Sequence, residues 1–89
     1  MAPSDDPRLT ELGIGAGDRV RFRRRSGGWI EATVERREKD GSVGLRDGKG
    51  AARAITVDRL EVRTTGPRGG LRWQPLAERA DETEQLRLL

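Results

Sequence analysis

Residues 18–34 read DRVRFRRRSGGWIEATV, and the alternation inside this stretch decides the fold. Val20 and Phe22 alternate with Arg19, Arg21 and Arg23. After a loop of Arg, Ser and Gly, Ile30, Ala32 and Val34 alternate with Trp29, Glu31 and Thr33. A period of two marks half-buried strands, and Gly27-Gly28 supply the backbone freedom that a reversal needs. Closing this hairpin with Arg23 opposite Trp29 sets Phe22 against Ile30, Arg21 against Glu31 and Val20 against Ala32. Every apolar pair then falls on one face and every polar pair on the other. A slip of one residue would spoil both faces at once, so the pattern fixes the register.

Downstream, Asp40-Gly41 signals a second reversal and Asp47-Gly48-Lys49-Gly50 a third, with Val43 and Leu45 between them. A four-residue loop at the third would set Leu45 opposite Ala52 and Val43 opposite Ala54. Ile55, Val57, Leu60 and Val62 complete the core, and the spacing of Val57 and Leu60 predicts one 3₁₀ turn before a last short strand. Upstream, Asp6 can cap a helical turn with Pro7 at its first position and Gly13 as its stop, and Leu9 and Leu12 cover one end of the domain. The expected division is an N-terminal arm (1–16), a barrel of five antiparallel strands (17–63), a Gly-rich linker (64–74) and a C-terminal helix and tail (75–89). In that helix Pro75 starts the first turn and Glu78 lies within it.

Composition narrows the function. Leu, Ile, Val and Phe total 18 of 89 residues, so the core is small and concentrated. With no Cys and no His, disulfides, Cys/His zinc sites, thiol catalysis and imidazole base catalysis are excluded. Ser4, Ser26 and Ser42 have no candidate base, so no enzyme is expected, and no cofactor. The polar N-terminus is not a signal peptide, and no apolar run approaches a membrane span, which makes a cytoplasmic monomer the expectation. Residues 18–63 hold thirteen basic residues against eight acidic ones. That excess suits an anionic partner such as nucleic acid. Codon bias in a GC-rich genome would equally give sixteen Arg to two Lys.

The order GDRVRF, GGWIEATV, DGSVGLRD, AITVDRLEV across residues 17–63 resembles the Tudor and KOW branch of SH3-like barrels. The resemblance implies a ligand-binding barrel without a fixed ligand class, since such folds take RNA, DNA, modified peptides or proline-rich segments. The stretch departs from its relatives twice. Phe22 and Trp29 are its only aromatic residues, too few for a cage around a methylated cation. Ala32 stands where KOW motifs carry Gly.

The candidate nucleic-acid contacts are Arg23, Arg24, Arg25, Trp29, Arg36 and Arg37. Loop arginines can clamp phosphates while Trp29 stacks on a base. The competing expectation is a cross-paired surface, with Arg21 bridged to Glu31 and Arg23 lying on Trp29. Gly66-Pro67-Arg68-Gly69-Gly70 resembles one unit of an RGG tract, although a lone unit is more often plain linker. At the C-terminus, Gln85-Leu86-Arg87-Leu88-Leu89 resembles the bacterial sliding-clamp-binding motif. In that family the Gln hydrogen-bonds at one subsite and apolar side chains fill a pocket. The resemblance implies partner-binding roles for Gln85, Leu86, Leu88 and Leu89, whereas Arg87 departs from the usual Ser or Asp. Together these features suggest an adapter of bacterial DNA metabolism. The alternatives are a protein-interaction scaffold whose tail packs on the barrel, and a KOW-like RNA-binding module.

Overall fold

The computed structural model describes residues 6–87. A helical turn, α1 (Pro7–Thr10), precedes strands β1 (Arg19–Arg23), β2 (Trp29–Arg37), β3 (Val43–Asp47) and β4 (Ala52–Ile55). A 3₁₀ turn at Val57–Arg59 leads into β5 (Leu60–Thr65), β6 (Leu71–Pro75) and the helix α2 (Leu76–Arg87). The strands form one antiparallel sheet in the order β4-β3-β2-β1-β5-β6. The sheet is open, with β4 and β6 as its edges, so the architecture is six-stranded rather than a closed set of five.

The β1–β2 register is the one that the alternation dictates, from Arg23 opposite Trp29 to Val20 opposite Ala32. The inner face of the sheet carries Val20, Phe22, Ala32, Val34, Val43, Leu45, Ile55, Leu60 and Val62, all buried, with Ile30 and Val57 packed at the margin. Leu9, Leu12 and Ile14 close one end of this core. The Asp6 carboxylate caps α1 by accepting the Arg8 N–H at 2.9 Å, and Pro7 occupies the first turn.

Four hairpins share one loop design. In residues 24–28, 38–42, 47–51 and 66–70, the first and last residues face each other and three lie between. The third of those three is a glycine, Gly27, Gly41, Gly50 or Gly69, with φ between 81° and 94°. This is the three-residue hairpin loop in which a left-handed residue turns the chain back into the ladder.

Two sequence expectations fail because of this design. In the third loop Asp47 pairs with Ala51, and the Asp47 Oδ1 accepts the N–H groups of Lys49 and Ala51. Leu45 therefore faces Arg53 and Val43 faces Ile55, one residue away from the pairing expected for a four-residue loop, and Ala52 and Ala54 are exposed on the outer face. The segment 64–74, expected to be a linker, instead holds the end of β5, the fourth loop and most of β6.

A bulge between Val34 and Arg36 shifts the second half of β2 relative to β3. Before it, Ile30, Ala32 and Val34 point inward; after it, Arg37 does so and Arg36 points outward.

The helix α2 packs against β5, β6 and the 3₁₀ turn, with Leu76 fully buried and Ala80 packed against the core. A polar network fastens it. Arg79 donates to the carbonyl of Gly13 (3.2 Å), the hydroxyl of Thr64 (3.2 Å) and the amide oxygen of Gln74 (3.4 Å). The buried Gln74 donates in turn to Glu78 and Glu82. Among the described residues no buried side-chain polar atom lacks a partner, as a small core requires. Gly13, at φ 76°, lies against Arg79 and Thr83, so a side chain there would collide with α2.

Candidate functional site

Strand β1 offers Arg19, Arg21 and Arg23 to the outer face because Val20 and Phe22 are committed to the core. The Arg21 guanidinium carbon lies 4.0 Å from the ring centre of Trp29 and 4.7 Å from that of Trp73. Both tryptophans of the chain thus flank one arginine. Arg21 also donates from Nε to Glu61 Oε1 (2.8 Å), and its Nη2 lies 2.7 Å from the same oxygen in an ion pair. Its Cα partner on β2 is Glu31, but the side chain turns to β5, so the expected Arg21–Glu31 bridge does not form. Glu31 meets Arg19 instead, at 3.5 Å. Arg21 has a carboxylate available on each neighbouring strand, and the choice of Glu61 leaves the guanidinium between two aromatic rings.

Arg23 lies over Trp29 at 4.9 Å, the cation–π contact expected from the register. Arg24 and Arg25 are exposed in the first hairpin loop. Among the described residues, Arg23, Arg24, Arg25 and Lys49 have no carboxylate within 4.0 Å. Arg59, from the 3₁₀ turn, donates to the Arg23 carbonyl at 3.2 Å and brings another cation to this end of the sheet. A groove of about 460 Å³ separates the first and third loops, lined by Arg24, Trp29, Ile30, Glu31, Lys49 and Arg53.

Asp47 also lines that groove, and its carboxylate is committed to Arg53 and to the N–H groups of its own loop. Its carboxyl is held below the usual aspartate range, first by the hydrogen bond from Arg53 and then by the Ala51 N–H. Trp29, 38% exposed, is the aromatic surface that this basic end presents to solvent.

Arg36 and Arg37 lie apart from this group. Arg36 lies seven residue steps along β2 from Trp29, roughly 23 Å. Arg36 bridges Glu38 at 3.0 Å. Arg37 points inward after the bulge and donates to the carbonyls of Gly41 (2.7 Å) and Arg8 (2.9 Å), while its own N–H reaches Asp6. It fastens α1 to the sheet. Of the six residues expected to contact nucleic acid, the fold gathers Arg23, Arg24, Arg25 and Trp29 and places the other two elsewhere.

Residues that alternation in 18–34 could not supply complete the outer face. Trp73, with Arg63 as its Cα partner on β5, and the exposed Leu71 come from β6. The signal was present: Leu71, Trp73 and Pro75 alternate with Arg72 and Gln74 directly after a Gly-Pro-Arg-Gly-Gly turn. Here, however, the apolar members face outward.

In the tail, Gln85 and Leu86 lie in the last turn of α2, and Leu86 is 70% exposed. Leu88 and Leu89 fall outside the described residues. Among the described residues no helix is long and apolar enough to cross a membrane. No protein-family model, no curated protein and no solved structure matches the chain.

Proposed function

We propose that this chain is a non-enzymatic nucleic-acid-binding adapter built on an SH3-like unit, acting in bacterial DNA metabolism. The observation that carries the reading is the cluster of Arg23, Arg24, Arg25 and Lys49 around Trp29, cations without carboxylate partners among the described residues and set beside a half-exposed aromatic ring. Phosphates supply the missing counter-charges and release bound salt ions as they do so. The SH3-like assignment is supported by the meander of β1 to β4, followed by a 3₁₀ turn that returns β5 to the side of β1.

The tail supplies the adapter half of the proposal. The first turns of α2 belong to the fold through Leu76 and Ala80, as the rival scaffold reading requires. Its last turn presents Gln85 and Leu86 to solvent, as docking into a sliding-clamp pocket requires. A short segment ordered on binding gives modest affinity, on the order of micromolar.

Two titrations test the two halves. Labelled single- and double-stranded DNA and RNA at low salt should bind, with affinity falling steeply as salt rises; no binding to any of them defeats the nucleic-acid half. Purified bacterial sliding clamp should bind the full chain and not one lacking Leu88 and Leu89, while both chains melt at nearly the same temperature. A clear drop in melting temperature without clamp binding would favour the packed scaffold, and preference for RNA would favour the KOW-like module.

A further inference from the structure

The outer face carries more than charge. Trp73, Arg21, Trp29 and Arg23 follow one another in contact across it, with successive guanidinium-to-ring distances of 4.7, 4.0 and 4.9 Å. The two arginines are held very differently. Arg21 is half-buried, hydrogen-bonded and ion-paired to Glu61, and flanked by two rings. Arg23 is exposed, has no carboxylate partner among the described residues, and touches one ring at the longest of the three distances. One end of the array is fixed and the other can open.

We infer that the outer face is a single-strand-selective surface on which an unpaired base stacks on Trp29 in place of the Arg23 guanidinium. Arg23 turns to the flanking phosphate, and Arg21, clamped by Trp29, Trp73 and Glu61, stays as the rigid floor. This inference rests on the nucleic-acid reading above and names its ligand class. An unpaired base offers a planar π face to an aromatic ring, whereas a duplex keeps its bases stacked on one another. The charges follow the same line. Arg24 and Arg25 lie beyond Trp29. Arg63, exposed and without a carboxylate within 4.0 Å among the described residues, is the cross-strand partner of Trp73. From β2 to β6 the face spans three strand spacings, roughly 14 Å, so one strand can meet cations at both ends of the array.

The chain has two tryptophans and no tyrosine, and both tryptophans lie in this array, so its intrinsic emission reports on the proposed surface. The test titrates the full chain with a twelve-residue oligothymidine and with a twelve-base-pair duplex, following tryptophan emission and the anisotropy of a labelled oligonucleotide together. The inference expects quenched emission, tighter binding of the single strand, and a loss of roughly 5- to 150-fold in single-strand affinity for Trp29→Leu. Because Trp29 also supports Arg21, Arg23→Gln provides a second variant. It should keep the quench and weaken the salt dependence, with its melting temperature unchanged. If anisotropy reports binding while emission stays constant, or if Trp29→Leu binds as the native chain does, the stacking inference fails and the phosphate reading stands. Duplex bound more tightly than the single strand also overturns it. If anisotropy shows no binding of either probe, the nucleic-acid reading fails and takes this inference with it.

Discussion

On its inner face β1 places Val20 and Phe22, exposed by 3% or less, in the aliphatic core cluster; on its outer face it places Arg19, Arg21 and Arg23 among two tryptophans and two glutamates. Five consecutive residues thus serve two environments. The inner pairings are apolar throughout and stabilise by removing surface from water. The outer pairings are charge and ring contacts that water and salt weaken, each contributing about 1 kcal/mol or less where exposed. Most of the stability therefore resides on the inner face, and the exposed contacts of the outer one, such as that of Arg23 with Trp29, can be exchanged for those of a ligand.

The sharpest way to break this contrast is Phe22→Ala, which leaves the outer face intact and empties the centre of the inner one. It should cost about 3–5 kcal/mol, a large share of the stability of so small a domain, as read from denaturant unfolding. A cost below about 1 kcal/mol would mean that the inner face is not the core. Leu76→Ala should follow at about 2–4 kcal/mol, because that side chain is fully enclosed and anchors α2.

On the outer face, Arg21→Gln removes an ion pair and two ring contacts and should cost less, about 1–2 kcal/mol. It should also change the tryptophan emission, which Phe22→Ala can do only by unfolding the chain.

The smallest effect is electrostatic and concerns Asp47. Its folded pKa lies below the ordinary aspartate value, so its contribution to stability is present above that value and is lost as pH falls through the folded pKa. Asp6 and Asp40 are lowered in the same direction, by the Arg8 N–H and the Ser42 hydroxyl respectively. Melting temperature should therefore decline on acidification below the ordinary aspartate pKa. Asp47→Asn should make that decline shallower without abolishing it. An equally steep decline in the variant would remove Asp47 from the account.

The same contrast explains what was legible in the sequence. The β1–β2 register could be read because Val20, Phe22, Ala32 and Val34 all point to one apolar face and only one pairing aligns them. The face of Arg37 could not, because the bulge at Glu35 reverses the alternation and no residue there announces it. The β3–β4 register was missed by one because small alanines at 51, 52 and 54 tolerate either face, so the turn at Asp47 decided it. Strand β6 was hidden for a related reason. Its ring and leucine face solvent, and its first residues follow glycines that resemble a linker. The basic half of the site was legible as Arg23 to Arg25 beside Trp29. The role of Trp73 required knowing that β6 adds to the edge of β5 and brings that ring over Arg21.

The central claim is that the exposed cations of the first loop bind phosphate without supporting the fold. The most direct measurement is the salt dependence of oligothymidine affinity for the native chain and for the double variant Arg24→Gln/Arg25→Gln, with melting recorded on the same samples. The account predicts coincident melting curves and a slope of log affinity against log salt that is smaller in magnitude by roughly 1.4 in the variant, about 0.7 for each lost phosphate contact on a single strand. An unchanged slope, or a native chain that binds no oligonucleotide at low salt, would contradict it.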